Sequence, residues 1–386
     1  MNSKDQIRQR YHSVLEPTLS GRYLPLASLD PLLEKHKDWV DIQQLGTSVS
    51  GRSIHGMKIG RGKRVILGWS QMHGNESTTT RACFDLLAYL KRFRDEDVLV
   101  SHFLSEFTFC LIPVLNPDGA EAYTRENYNS VDLNRDAVDL SQPESQVLRS
   151  WFDELEPELC LNLHGQRSIY GMDDGNPSII SFLAPAADQN KSRTAARLQA
   201  MDKIGQMAGV LNRLHPGCIG LYDDGFNPNC VGDTFQAIGI PTILFEAGHF
   251  PGDYNRDGSR ELIFLALMQL FGLLPSTFPS SVVNYDDLPR HSQNFRDLIL
   301  RNVGSKSGGL VDMALQLEEE LVDGRIRFVK QLDQMGELSG LFGHFEVDLK
   351  GESILINSHE NVFVGDKVLT IHRQSDNKLM IFLQIP

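Results

Sequence analysis

The sequence predicts an α/β fold: a mostly parallel mixed sheet with helices on both faces, followed by a small β-rich C-terminal module. Three observations predict it. Short apolar runs alternate with helix-length patterns from about residue 60 to 275, the order that yields a parallel sheet covered on both sides. After about residue 280 that alternation gives way to short period-two segments separated by turn dipeptides. The 386 residues also exceed the size at which a single hydrophobic core usually stops growing. The chain therefore divides into a large domain, 1–280, and a smaller module, 281–386.

Buried strands are predicted at 65–69, 107–115, 159–163, 179–184 and 240–245. Each is short and rich in aliphatic or aromatic residues, and most are flanked by Gly, Pro or Asn. Helices are predicted between them at 77–93, 144–155, 193–211 and 259–273. Upstream, 29–39 has the apolar spacing of an amphipathic helix, and 48–59 reads as a hairpin centred on Gly51-Arg52. Downstream, 288–303 reads as a helix and 304–309 (GSKSGG) as a flexible link. Short strands follow at 325–329, 344–349, 353–357, 367–372 and 379–385, with turns at Asp323-Gly324, Lys350-Gly351 and Gly365-Asp366.

Composition narrows the function classes. Hydrophobic residues at 41% and charged residues at 23% are those of an ordinary globular protein. A net charge of −13 argues against a nucleic-acid surface. The first fourteen residues are polar where a secretory signal needs an apolar stretch, and no run has the length of a membrane span. Five cysteines, with Cys83, Cys110 and Cys160 in apolar runs, read as buried free thiols. These features set the expectation of a cytoplasmic protein that binds neither membrane nor nucleic acid. Nothing in them specifies an oligomeric state.

Candidate chemistry gathers at strand ends, where open α/β sheets hold their ligands. His73-Gly74-Asn75-Glu76 lies just after the run 65–69, and a turn there lets an imidazole and a carboxylate aim at one point, a mixture zinc accepts. Its plain alternative is a strand-end histidine beside a carboxylate favoured by a helix dipole. His164 ends the run 159–163; two histidines and one glutamate complete a catalytic zinc set with one open position. Otherwise His164 is a satisfied core histidine. Glu246 follows the run 240–245, where partial burial would raise its pKa and suit it to general-base work. Its alternative is an ion pair with Arg256 or Arg260. The polar stretch holding Asn116-Pro117-Asp118-Gly119, Arg125 and Asp132-Leu133-Asn134-Arg135 is a candidate binding loop, because an arginine fork grips a carboxylate.

Taken in order, SVSGR, HGNE, NPDG, TREN, VDLNRD, LNLHGQ and LFEAGH resemble the zinc carboxypeptidases typified by carboxypeptidase A, from roughly Ser48 to Arg260. The resemblance implies one zinc ion held by His73, Glu76 and His164, a ligand set known for that enzyme. It assigns Asn134 and Arg135 to the terminal carboxylate of a peptide substrate and Arg125 to the scissile carbonyl. It gives Asp132 to the hydrogen bond that fixes a ligand histidine. Glu246 becomes the general base for a zinc-activated water that hydrolyses a C-terminal peptide bond. The family's loop tyrosine falls near Tyr222, with Phe226 as the other candidate. Two further readings share the motifs. One is an amidohydrolase similar to aspartoacylase and succinylglutamate desuccinylase, acting on N-acyl amino acids or other small amides. The other is a catalytically inactive zinc-binding module.

Overall fold

A computed structural model describes residues 3–305, 308–359 and 361–380. The chain divides into two compact units. The first comprises residues 1–166, 179–248 and 255–291; the second comprises 167–178, 249–254 and 292–386.

The first unit is built on an eight-stranded mixed sheet. Its strands are β1 (Asp41–Thr47), β2 (Ser53–Gly60), β3 (Arg64–Ser70), β4 (Phe107–Ile112), β5 (Leu159–Gly165), β6 (Ile180–Leu183), β7 (Ile219–Leu221) and β8 (Thr242–Ala247). They lie in the order β1-β2-β4-β3-β5-β8-β6-β7. The centre, β4-β3-β5-β8, is parallel; β1-β2, β2-β4 and β8-β6 are antiparallel. The central strands are near-continuous apolar runs because helices cover both sides, which leaves no face for a polar alternation. Helices Thr78–Phe93, Pro143–Leu155, Ala195–Leu214 and Asp257–Leu270 correspond to the predicted ones within a few residues. On one side of the sheet Trp69, Trp151, Phe152 and Phe235 share a buried cluster, with Phe152 stacked on Phe235 at 4.0 Å between ring centroids.

One charged pair sits inside this unit. Arg260 Nε and Nη2 each donate to the Asp85 carboxylate at 2.6 Å, and both side chains are almost fully buried. Glu16 N–H adds a donor at 3.0 Å, and Arg260 also caps the carbonyls of Glu16 and Leu19. The pair thus joins helices Thr78–Phe93 and Asp257–Leu270 to the N-terminal segment.

The second unit is β-rich. A five-stranded sheet runs β12-β9-β10-β11-β14, and β13 pairs with β15. The strands are β9 (Phe295–Gly304), β10 (Leu310–Val322), β11 (Arg325–Gly336), β12 (Phe342–Asp348), β13 (Ile354–Ile356), β14 (Lys367–Val368) and β15 (Ile371–Arg373). Leu298, Leu300, Leu315, Leu332, Ile356 and Ile371 are among its buried core residues.

Three expectations for this region need correction or fall outside view. The predicted helix at 288–303 is instead an extended segment leading into β9. Its first six residues are all buried, and a continuously buried strand lacks the alternation that separates strand from helix. The predicted link at 304–309 closes a hairpin: Gly304 pairs with Leu310, and Ser305 N–H donates to the Gly309 carbonyl at 2.9 Å. Residues 306–307 of that link lie outside the described residues, as do 381–385 of the last predicted strand.

Truncating Asp85 to Ala leaves Arg260 a buried cation without its partner. We expect a loss of about 3–5 kcal/mol, measured as a fall in the urea midpoint with an unchanged slope.

Candidate functional site

Three parallel strands of the first unit deliver the candidate residues. His73 follows β3 after Gln71, which takes a left-handed φ of 44° and so turns the chain sharply out of the sheet. His164 is the next-to-last residue of β5. Glu246 lies inside β8, in register with His164, because β8 begins after Pro241 and runs through Ala247. The prediction had put Glu246 just beyond the strand.

His73 Nδ1 lies 3.0 Å from Glu76 Oε1, His164 Nδ1 lies 2.9 Å from Glu76 Oε2, and the two Nδ1 atoms are 3.1 Å apart. Tetrahedral zinc donors at about 2.0–2.1 Å from the metal stand roughly 3.3 Å from one another. The three side chains therefore already approach the spacing that zinc requires, and this donor set fits the metal. Gly165 N–H also donates to Glu76 Oε2 at 3.0 Å.

The surrounding contacts orient the donors. His73 Nε2–H donates to Asp132 Oδ1 at 2.9 Å, which leaves Nδ1 as the lone-pair nitrogen facing Glu76 and His164. Asp132 also receives Asn134 N–H at 2.9 Å, and Arg125 through Nε at 3.2 Å and Nη2 at 2.9 Å. Arg125 Nη1 lies 3.2 Å from His73 Nδ1 and 3.6 Å from Glu76 Oε1. Asn134 is held by Val231 N–H, which donates to its Oδ1 at 3.3 Å, and Arg135 folds back onto the Asn134 carbonyl at 2.7 Å.

The electrostatics follow this geometry. Burial opposes ionisation of Glu76, but the two imidazoles and Gly165 hold its carboxyl well below the usual range. Burial likewise opposes charging of His73, and Glu76 with Asp132 overcomes it and raises the ring's pKa. Burial lowers the pKa of His164. Glu246 moves the opposite way from Glu76. Burial and the Glu76 charge push its carboxyl well above the ordinary value, only partly offset by Arg125.

The predicted residues are not all drawn together. His73, Glu76, His164, Arg125 and Asp132 are in direct contact, and Glu246 neighbours His164 through strand register. Asn134 and Arg135 join by way of Asp132. Tyr222, just beyond β7, packs its ring on His291 at 4.7 Å between centroids. As for the ion-pair alternative for Glu246, Arg260 is taken by Asp85, and Arg256 donates to the carbonyls of Ala247 and Gln166.

Other residues, quoted in the sequence only as parts of motifs, shape the site. A Cβ on Gly74 would lie 1.9 Å from the Gly119 backbone, so the His73 turn and the Asn116-Pro117-Asp118-Gly119 turn can pack only through glycine. Asn116 caps helix Pro117–Ala122 by accepting from Gly119 N–H, and it donates to the Met72 carbonyl at 3.2 Å. Asp118 receives Ser50 N–H at 3.0 Å and Arg52 Nη1 at 2.7 Å, which ties this loop to the β1–β2 turn. The motifs HGNE, NPDG and SVSGR marked these residues in the sequence, but not their mutual contacts.

The chain resembles known proteins in both sequence and fold. The family described as zinc carboxypeptidase matches residues 26–139, which include His73, Glu76, Arg125 and Asp132. Over that stretch the chain is similar to the zinc carboxypeptidases. It is 27% identical to mouse carboxypeptidase M over 174 residues, covering 39% of each chain. It is 28% identical to human carboxypeptidase D over 166 residues, covering 36% of this chain and 12% of that one. The chain thus spans well under half the length of these relatives. Solved structures carry the fold resemblance further. A metallo-carboxypeptidase from Burkholderia cenocepacia aligns with a TM-score of 0.51 at 17% identity, over 64% of this chain and 68% of that one. Carboxypeptidase A from Helicoverpa armigera aligns with a TM-score of 0.50 at 19% identity, over 70% and 80%. Among the described residues, no helix is long and apolar enough to cross a membrane.

Replacing Asp132 by Ala frees the His73 ring to rotate and to change tautomer. We expect zinc affinity to fall about 10–100-fold in a competition titration against a chromogenic chelator, with the fold retained by circular dichroism.

Proposed function

We propose that the chain is a single-zinc metallocarboxypeptidase, with His73, Glu76 and His164 as ligands and Glu246 as the general base. The observation that carries this reading is the convergence of two imidazole nitrogens and one carboxylate within about hydrogen-bond distance, with a second carboxyl of raised pKa on the adjoining strand. Lewis acidity is what zinc supplies to such a site, polarising a carbonyl and making water acidic. Glu246 accepts the proton of the attacking water and later delivers it to the leaving amine. Arg125 donates to the carbonyl oxygen as charge builds there, an interaction that strengthens in the transition state. Asn134 and Arg135 bind the terminal carboxylate, and Asp132 keeps the His73 ring in its working tautomer. Tyr222 is assigned, by the resemblance alone, to the loop that covers the substrate.

The substrate is a peptide or small amide with a free carboxylate. Incubation with C-terminally free peptides and, separately, with N-acyl amino acids tests the class. Release of a C-terminal amino acid supports the proposal, whereas deacylation alone overturns it in favour of the amidohydrolase.

Glu246→Gln should keep its zinc and lose about 10²–10⁴-fold in kcat, by steady-state kinetics with metal analysis. Unchanged turnover would remove Glu246 from the mechanism. Arg125→Ala should lower kcat more than it raises KM.

The same base sets a pH dependence. Glu246 works only when ionised, and its folded carboxyl titrates above the usual 4.3 or so. Activity should therefore be lost as pH falls through that raised value, giving an acid limb of kcat/KM above the ordinary carboxylate range. A limb near 4 would contradict the assignment.

A further inference from the structure

The second unit holds a cluster that the hydrolytic site does not use. His249, Asp297 and His344 each offer a donor atom, and these atoms lie within 4.8 Å of one another. They come from distant points of the sequence. His249 opens the short segment 249–254, Asp297 lies on β9 and His344 on β12. β9 and β12 are parallel neighbours, and their register sets His344 opposite Asp297, between the pairs Arg296↔Gly343 and Leu298↔Phe345. Residues opposite each other on adjacent strands project from the same face.

The contacts around the cluster match those that support metal ligands elsewhere. His344 Nε2–H donates to the Ser168 backbone carbonyl at 2.7 Å, which fixes the tautomer and leaves Nδ1 as the lone-pair nitrogen. Asp297 is fully buried and is held as an acceptor by Leu317 N–H at 2.8 Å, Ser168 Oγ at 3.2 Å and the Gln316 side-chain amide on one oxygen. Tyr254 Oη donates to the other oxygen at 3.3 Å. Rings shield the group from water: Tyr254 lies against His249, Phe295 against His344, and the two imidazoles pack at 4.4 Å between centroids.

We propose that His249, Asp297 and His344 form a second divalent transition-metal site, selective for zinc, that pins segment 249–254 to β9 and β12. Two imidazoles with one carboxylate are ligands zinc prefers over calcium or magnesium, which seek all-oxygen sets. Binding draws the donors inward to the roughly 3.3 Å spacing of a tetrahedral ion, and a fourth position stays open.

Metal stoichiometry tests this without reference to activity. The chelator-stripped full-length protein is titrated with Co²⁺ and with Zn²⁺, and bound metal is counted after gel filtration. Two equivalents are expected for the unaltered protein; a single equivalent overturns the proposal. The double variant His73→Ala/His164→Ala should keep one equivalent. Adding His344→Ala should remove it, with circular dichroism checking that each variant stays folded. A double variant that binds no metal, or a triple variant that still binds one, shows the cluster to be an Asp–His ion pair alone. The count in the unaltered protein decides the matter even if a variant fails to fold.

Discussion

A carboxylate buried among imidazoles needs positive charge close by. His73 Nδ1, His164 Nδ1 and the Glu76 carboxylate stand about 3 Å apart, and both histidines are buried almost completely. A carboxylate at that depth is costly unless donors or positive charge meet it. Several neighbours help to supply it. Gly165 N–H meets Glu76, Arg125 brings a cation to the rim, and Asp132 drains the His73 proton to the far side of the ring. A dication held by these groups would complete the same balance, which gives the proposed metal a physical reason at this address.

The sheet makes that concentration of donors possible. Because β3, β5 and β8 run parallel, their carboxyl ends open on one edge, and the register of β5 with β8 sets His164 beside Glu246. Opposite environments then separate two glutamates. Glu76 is ionised by its imidazoles, whereas Glu246 is kept proton-seeking by burial and by the Glu76 charge. The loop that brings Arg125 and Asp132 is anchored at its root, where Gly74 meets Gly119 and Asp118 holds the β1–β2 turn. Motifs that look like ordinary turn chemistry are thus the fasteners of the site.

Much of this was legible because strand-end residues announce themselves. His73 lies just beyond an apolar run, His164 and Glu246 close theirs, and a buried acid or imidazole in such a position is costly without a role. Boundaries were less legible: β8 extends through Glu246 because pairing with β5 continues past the apolar stretch. The second unit was read least well. β9 is buried along most of its length and so mimics a helix, while the acidic run Glu318-Glu319-Glu320 disguises the long strand β10. His249 and His344 carried no spacing signal at all, since only the pairing of β9 with β12 brings such distant positions together. Tyr222 could be placed in sequence by analogy, yet its ring rests on His291, a contact that no local pattern encodes.

The composition of the second unit has a consequence for synthesis. Residues 167–178 leave the ribosome directly after β5, and 249–254 directly after β8, but both belong to a unit whose remaining strands begin at 292. Early in translation these two short segments have no sheet to join. Residues 167–178 must wait until 179–291 have emerged, and 249–254 until 255–291 have. The second unit can therefore be completed only when its last-made strands are available, and a nascent chain arrested near 290 carries two segments without their sheet.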